Sequence, residues 1–213
     1  MKTIKGNITI FLACALTCAF VFAVSAKASL CNDTNAMTGF TGTTSFDITV
    51  SNVSLNADVE YAVYAPGIYP GKDLTGDSEY IYAYQILSRS HTNVAIDFFS
   101  VGISSGVVID NIYTDNTYGS GVDPLLSNIF AQSAWFIFAD QSLNKRECSN
   151  VLIFTSVHSP TMGFGTISGG GASEMAALPT PSTSPIPEPA TIALLLLAIL
   201  IFTFNRRKTS AIK

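Results

Sequence analysis

The sequence predicts an all-β protein, a β-sandwich of jelly-roll type, set between an N-terminal signal helix and a C-terminal transmembrane helix. Three observations predict it. The middle of the chain holds about eight short runs that alternate apolar and polar residues or concentrate β-branched and aromatic ones. Gly, Asn, Asp, Ser and Pro separate these runs, as turns require. Between the two ends there is no convincing 3.6-residue apolar period of an amphipathic helix. Short strands with frequent turn signals favour two packed sheets.

The N-terminal element sets the compartment. Lys2 and Lys5 precede an apolar run, Ile8 to Val24, and Ala26-Lys27-Ala28 gives an A-x-A exit. A basic region, an apolar region and small residues at the exit read as a secretory signal peptide over 1–28. Cleavage after Ala28 would make Ser29 the mature start, and cleavage after Ala26 is the close alternative. Leu30 precedes Cys31 where a lipid-attachment signal needs a small residue, so a lipoprotein is rejected. The ectodomain then spans 29–176, one domain on its length.

Its strands follow in order. Ser45 to Val50 places Phe46, Ile48 and Val50 on one face. Val59 to Tyr64 alternates through Val59, Tyr61 and Val63, and Tyr80 to Leu87 is aromatic on one face. Between them Ala65 to Glu79 is a loop with two Pro-Gly turns. Val94 to Val101, Val107 to Ile112, Ala134 to Ala139, Val151 to Thr155 and Gly163 to Ile167 complete the set. Asp123 to Gln132 is read as a short helical turn, with Asp123 as its cap and Pro124 at its first position. The SGGGAS stretch reads as flexible, and a Pro/Ser/Thr linker over 177–185 reads as extended.

Charge narrows the partners. Between Ser29 and Pro189 the only cations are Lys72, Arg89, Lys145 and Arg146, against fifteen acids, a net charge of −11. An acidic ectodomain without a basic patch excludes nucleic acid as a partner. Cys14 and Cys18 would leave with the signal peptide. Cys31 and Cys148 would remain in an oxidising compartment, where two thiols near the domain's ends suggest one disulfide.

The C-terminal element is a short anchor. Ala190 to Phe204 carries no charge, and as a helix it reaches only about 22 Å against a hydrocarbon core of ~30 Å. Arg206, Arg207 and Lys208 follow directly. Their stems can snorkel, and the positive-inside rule keeps the cluster cytoplasmic and the ectodomain outside. Pro189 suits the first helical turn, and Glu188 lies beside the positive end of the helix dipole.

Ile186-Pro187-Glu188-Pro189-Ala190-Thr191, a short Leu/Ile-rich helix and the terminal Arg206-Arg207-Lys208 together resemble the PEP-CTERM sorting signal of bacterial exported proteins. The signal covers 186–209, with its transmembrane helix at 190–204. The resemblance implies recognition by an exosortase, a membrane-embedded cysteine transpeptidase, after passage through the general secretion machinery and signal peptidase. It implies Pro187, Glu188 and Pro189 as recognised residues. It also implies inner-membrane anchoring before sorting, then display at the cell surface or in the extracellular matrix of a Gram-negative-type bacterium. The helix departs from the family's frequent Gly-rich pattern. Tyr61 to Gly67, Tyr82 to Gln85 and Phe164 to Thr166 resemble, less specifically, a domain recurrent in these proteins and of no assigned activity.

Four candidate chemistries stand out. Gly102-Ile103-Ser104-Ser105-Gly106 fits the G-x-S-x-G pattern of a serine hydrolase, with Asp140 and His158 later in the required order. That elbow needs a helix after the serine, and the residues that follow, Val107 to Asp110, read as a strand; the stretch is read as a Gly/Ser hairpin. His91 and His158 are the only histidines, so no zinc spacing exists. Two acidic turns, Asp73 to Glu79 and Asp110 to Asn116, could supply oxygens to calcium, the one cofactor considered, and otherwise read as solvated turns. Tyr80, Tyr82 and Tyr84 share a strand face that would either stack on sugar rings or fill the core, and the core is the expected use.

The expected function is that of an exported, exosortase-sorted surface or matrix protein, with a non-catalytic structural or binding ectodomain. A carbohydrate-binding module with an extracellular polysaccharide as partner is the first alternative, and a serine hydrolase the second.

Overall fold

The computed structural model describes residues 29–130 and 132–183. The signal-peptide reading of 1–28, the Pro187-Glu188-Pro189 motif, the segment 190–204 and the Arg206-Arg207-Lys208 cluster lie outside the described residues.

The chain forms two five-stranded antiparallel sheets. The strands are β1 (Thr41–Val50), β2 (Val53–Tyr64), β3 (Tyr80–Ser88), β4 (Phe98–Gly102), β5 (Ile112–Asp115), β6 (Leu126–Phe130), β7 (Ser133–Ile137), β8 (Val151–Ser156), β9 (Pro160–Gly169) and β10 (Ala172–Pro181). The first sheet runs β1-β2-β3-β8-β5, and the second runs β10-β9-β4-β7-β6.

Period-two alternation builds the core. Phe46, Val59, Tyr82, Tyr84 and Phe154 point inward from the first sheet and meet Phe99, Val101, Phe136, Ile167 and Leu178 of the second. Each such side chain contributes about 1.5–3 kcal/mol on burial. Aromatic rings run continuously through the middle: Tyr82 stacks on Phe154 at 5.0 Å, Tyr84 lies 5.8 Å from Phe99, and Phe99 lies 6.1 Å from Phe136. Both tyrosine hydroxyls are satisfied at the core's margin, Tyr82 donating to the His158 carbonyl at 2.8 Å and Tyr84 to that of Pro179. Along one edge β1 meets β10, where Thr44 Oγ1 donates to the Ala177 carbonyl and Asp47 N–H to the Glu174 carboxylate.

Several elements differ from the sequence expectation. Asp123 to Phe130, the main described part of the expected helical turn, holds no helix. Leu126–Phe130 is instead a strand that pairs with β7, from Leu126 opposite Ile137 to Phe130 opposite Ser133. Pro124 sits just ahead of that strand, where its missing N–H disturbs no ladder. Val107 to Ile109 is not strand. Val107 N–H closes a turn onto Ser104, and pairing begins only at Ile112. The strand expected from Val94 starts at Phe98.

The largest difference lies at the C-terminal side. β10 carries the fold to Pro181, past the expected domain end at 176 and into the expected linker 177–185. The glycines expected to be flexible make its turn. Gly170 and Gly171 both have left-handed φ, +57° and +84°, the two-residue hairpin conformation that twists with the strands it joins. Pro179 and Pro181 are tolerated because β10 is an edge strand.

Candidate functional site

The two outward faces of the sandwich are built differently. The outer face of the first sheet is covered. A 3-10 turn at Leu30–Asn32 and the 65–79 loop lie over it, and Leu30, Tyr64, Tyr69, Ile81, Tyr118 and Ile153 form a second buried cluster there. Polar groups seal its rim. Asp33 accepts hydrogen bonds from Tyr64, at 2.8 Å, and from Tyr118, and the two tyrosine hydroxyls meet at 2.7 Å. Burial opposes ionisation of Asp33, yet the bonds from Tyr118, Asn35 N–H and Tyr64 hold its carboxyl below its ordinary range. Burial and the neighbouring carboxylate push the Tyr69 phenol up, and its hydroxyl donates to Asp115 at 2.9 Å. Further along the face, Arg89 joins Asp58 and Asp47, the latter at 2.9 Å.

Among the described residues the outer face of the second sheet has no such cover. Its residues fall into three rows across the strands. One row is Ser173, Ser168, Phe98, Ile137 and Leu126. The next is Met175, Thr166, Ser100, Trp135 and Asn128. In the third, Ala177 and Phe164 lie on one side of Gly102, with Ser133 and Phe130 on the other. No Asp, Glu, Lys or Arg belongs to any row. Met175 is 66% exposed, Phe164 62% and Phe130 58%. Trp135 is half-buried between Phe98, at 5.3 Å, and Phe130, at 4.9 Å, with the rings edge-on and tilted rather than coplanar. Uncharged apolar patches of this kind are surfaces through which proteins commonly associate.

The residues singled out from the sequence scatter. Tyr82 and Tyr84 are fully buried, so the tyrosine row is core and offers no sugar platform. Ser104 is exposed in a turn, and its side chain makes no hydrogen bond among the described residues. Asp140 lines a depression of about 570 Å³ together with Asp123 and Glu147, and neither Ser104 nor His158 reaches it. His158 gives its carbonyl to Tyr82, and His91 is exposed.

The two acidic turns do converge. Glu79 is pushed above its ordinary range by burial and by the carboxylates of Asp110 and Asp73, against a lowering contact with Thr155. One oxygen each of Asp73 and Glu79 is buried without a hydrogen-bond partner. Among the described residues, however, no three acids, histidines or cysteines are spaced to hold a metal ion.

Cys31 and Cys148 share the outer side of the first sheet. Cys31 lies in the 3-10 turn, its sulfur 3.1 Å from Ser29 Oγ, and Cys148 sits opposite Leu87 beside β3. Their sulfurs are not bonded to each other in this structure.

The bare face was not foreseen from the sequence. Its members come from five strands, and the only signal was the excess of adjacent large apolar pairs, Phe98-Phe99 and Trp135-Phe136, of which one strand face can bury only half. No family model, curated protein or solved structure matches the chain.

Proposed function

We propose that this chain is an exported protein sorted by an exosortase, with a non-catalytic ectodomain that acts by binding at the cell surface or in the extracellular matrix. The observation that carries the sorting half is the composite of Pro187-Glu188-Pro189, a short apolar segment and Arg206-Arg207-Lys208. The observation that supports the binding half is the uncharged, uncovered face of the second sheet. Signal peptidase, the secretion machinery and the inner membrane are its partners on the way. The described fold reaches Thr183, so the motif follows it after a few residues. The chain passes repeatedly between the sheets, from β3 to β4, β4 to β5, β5 to β6, β7 to β8 and β8 to β9. That alternation supports the jelly-roll type of sandwich.

Replacing Glu188 by Ala tests the sorting. Fractionation and intact-mass analysis should find the variant retained in the inner membrane with its tail attached. Unchanged release would reject the assignment.

Export to an oxidising compartment also carries a proposed Cys31–Cys148 disulfide. Both residues lie on one side of the first sheet. Closing a loop of this length would contribute up to ~4–5 kcal/mol in the chain-entropy model. Non-reducing peptide mapping of the mature protein should recover the two cysteines in one linked pair. Full alkylation of both without reductant would refute the bond.

A further inference from the structure

The bare face has a relief as well as a composition. In its third row Phe164 and Phe130 project on either side of Gly102 and Ser133. Gly102 has no side chain and Ser133 a small one, so the row is a hollow between two phenylalanines. A face that carries both projections and the hollow to receive them can match itself under a two-fold rotation.

Charge selects the same partner. The span from Ser29 to Pro189 carries −11. Two copies that approach through the first sheet bring Asp33, Glu60 and Asp115 toward one another, and like charges across an interface cost several kcal/mol. The outer face of the second sheet is free of ionised side chains, so two copies can meet there without that repulsion. An anionic or cationic partner finds nothing on it to pair with. A flat sugar platform is also missing, since the Phe98 and Trp135 rings stand at 88° to each other and those of Phe130 and Trp135 at 42°.

Two geometries could join the copies. The strand β6 is an open, uncharged edge, and strand addition would use its free backbone groups. Asn128 Oδ1, however, already accepts the Ile129 N–H at 2.8 Å, which blocks that ladder from within. Stacking of face on face leaves this hydrogen bond intact.

We infer that the outer face of the second sheet is a docking surface for a second copy of this chain, with the projecting Phe164 seated in the partner's Gly102–Ser133 hollow, against the Phe130 that bounds it. This rests on reading that face as the binding surface. The footprint is small. Five strands at ~4.8 Å and about five residues at ~3.4 Å give roughly 400 Å², while a standard stable interface takes ~800 Å² per partner. The contact is therefore weak in dilute solution and is populated where copies are crowded, as on a membrane or in a matrix.

The test uses the full chain in the exporting cell. Benzoylphenylalanine replaces Phe164, and ultraviolet light links it to whatever lies against the face. The expected product is an adduct of twice the chain mass whose linked peptide is this protein's own. The same probe in place of Val50, which is exposed at the β1–β2 turn, should give no such adduct. Adding Phe130→Glu should lower the Phe164 adduct by about tenfold or more, because the stack then desolvates a charge. Thermal unfolding of that variant should shift only slightly, since Phe130 lies outside the core and gives up little beyond its contact with Trp135. No adduct, an adduct with a glycan or a different protein, or a self-adduct indifferent to Phe130→Glu would overturn the inference. The adduct is read in membrane and released fractions separately. Failure of sorting therefore changes where it is found, and failure of docking changes whether it forms.

Discussion

The two sheets of this sandwich share one core and treat their outward faces in opposite ways. The first sheet's face is roofed by the N-terminal turn and the 65–79 loop, with Leu30 and Tyr64 fully buried and Asp33 and Asp115 held in tyrosine networks. The second sheet's face meets solvent through Phe164, Phe130 and Met175. The difference follows from where the long connections lie. The β2–β3 and β5–β6 connections and the N-terminal arm all fold over the first sheet, whereas the second sheet's hairpins, β6–β7 and β9–β10, are too tight to cover anything. Burial by the chain itself explains the apolar residues of one face. Those of the other stay uncovered by the chain among the described residues.

Substitutions should separate the faces sharply. Leu30→Ala removes a side chain from the roofed cluster and should cost about 2–5 kcal/mol. Phe164→Ser changes a larger apolar residue on the bare face and should cost no more than ~0.5 kcal/mol. Urea unfolding of the two variants measures both. Similar losses would mean that the bare face is structurally needed and would dissolve the contrast.

The roof should also be the more acid-sensitive side. Asp33 and Asp115 sit below their ordinary value of 3.8, burial opposing and hydrogen bonds from Tyr118, Thr117 and their neighbours outweighing it. A carboxyl depressed in the folded state stabilises fully above its unfolded value and loses that contribution as pH falls through its folded value. Melting temperature should therefore decline below about pH 4. Asp33→Asn should lower stability at pH 7 by about 1 kcal/mol for the lost charge-assisted bonds, and flatten the acid decline. An unaltered acid limb in that variant would show that the tyrosine network is not what acid breaks.

The smallest effect is expected at Ser104, which belongs to neither face. Ser104→Ala should leave stability within ±0.5 kcal/mol, as for exposed sites generally. Neither the parent nor the variant should hydrolyse nitrophenyl esters above the buffer rate. Turnover lost in the variant would move this protein into the enzymes.

The same contrast explains what could be read beforehand. β1, β2, β3 and β8 were legible because their buried faces carry the apolar residues, such as Phe46, Val63, Tyr84 and Phe154. β6 reads the other way round. Its outward residues are Leu126, Asn128 and Phe130 and its inward ones Ser127 and Ile129, so alternation marked neither side as core. β10 was hidden by its prolines and by glycines that proved to be a hairpin rather than a hinge. The bare face itself was illegible because assembling it needs the register of five strands, and no local pattern says which of Phe98 and Phe99 turns inward. The acidic turns were legible as a pair of charges but not as neighbours, since only the fold brings Glu79 to Asp110.

The Tyr84 hydroxyl crosses from the first sheet to the carbonyl of Pro179, close to the point where β10 leaves the fold. A tail that tethers this domain to a membrane would transmit any tension to that end of β10 first. Pulled from there, an edge strand peels from its neighbour one pair at a time, first losing the Ser182 N–H bond to the Ser159 carbonyl and then Pro181 opposite Pro160, a pair with no N–H to give. The Tyr84 bond lies two residues further in and belongs to the other sheet, so the peel must break this cross-sheet contact before it goes further. In mechanical terms it is a rivet, set where the load enters.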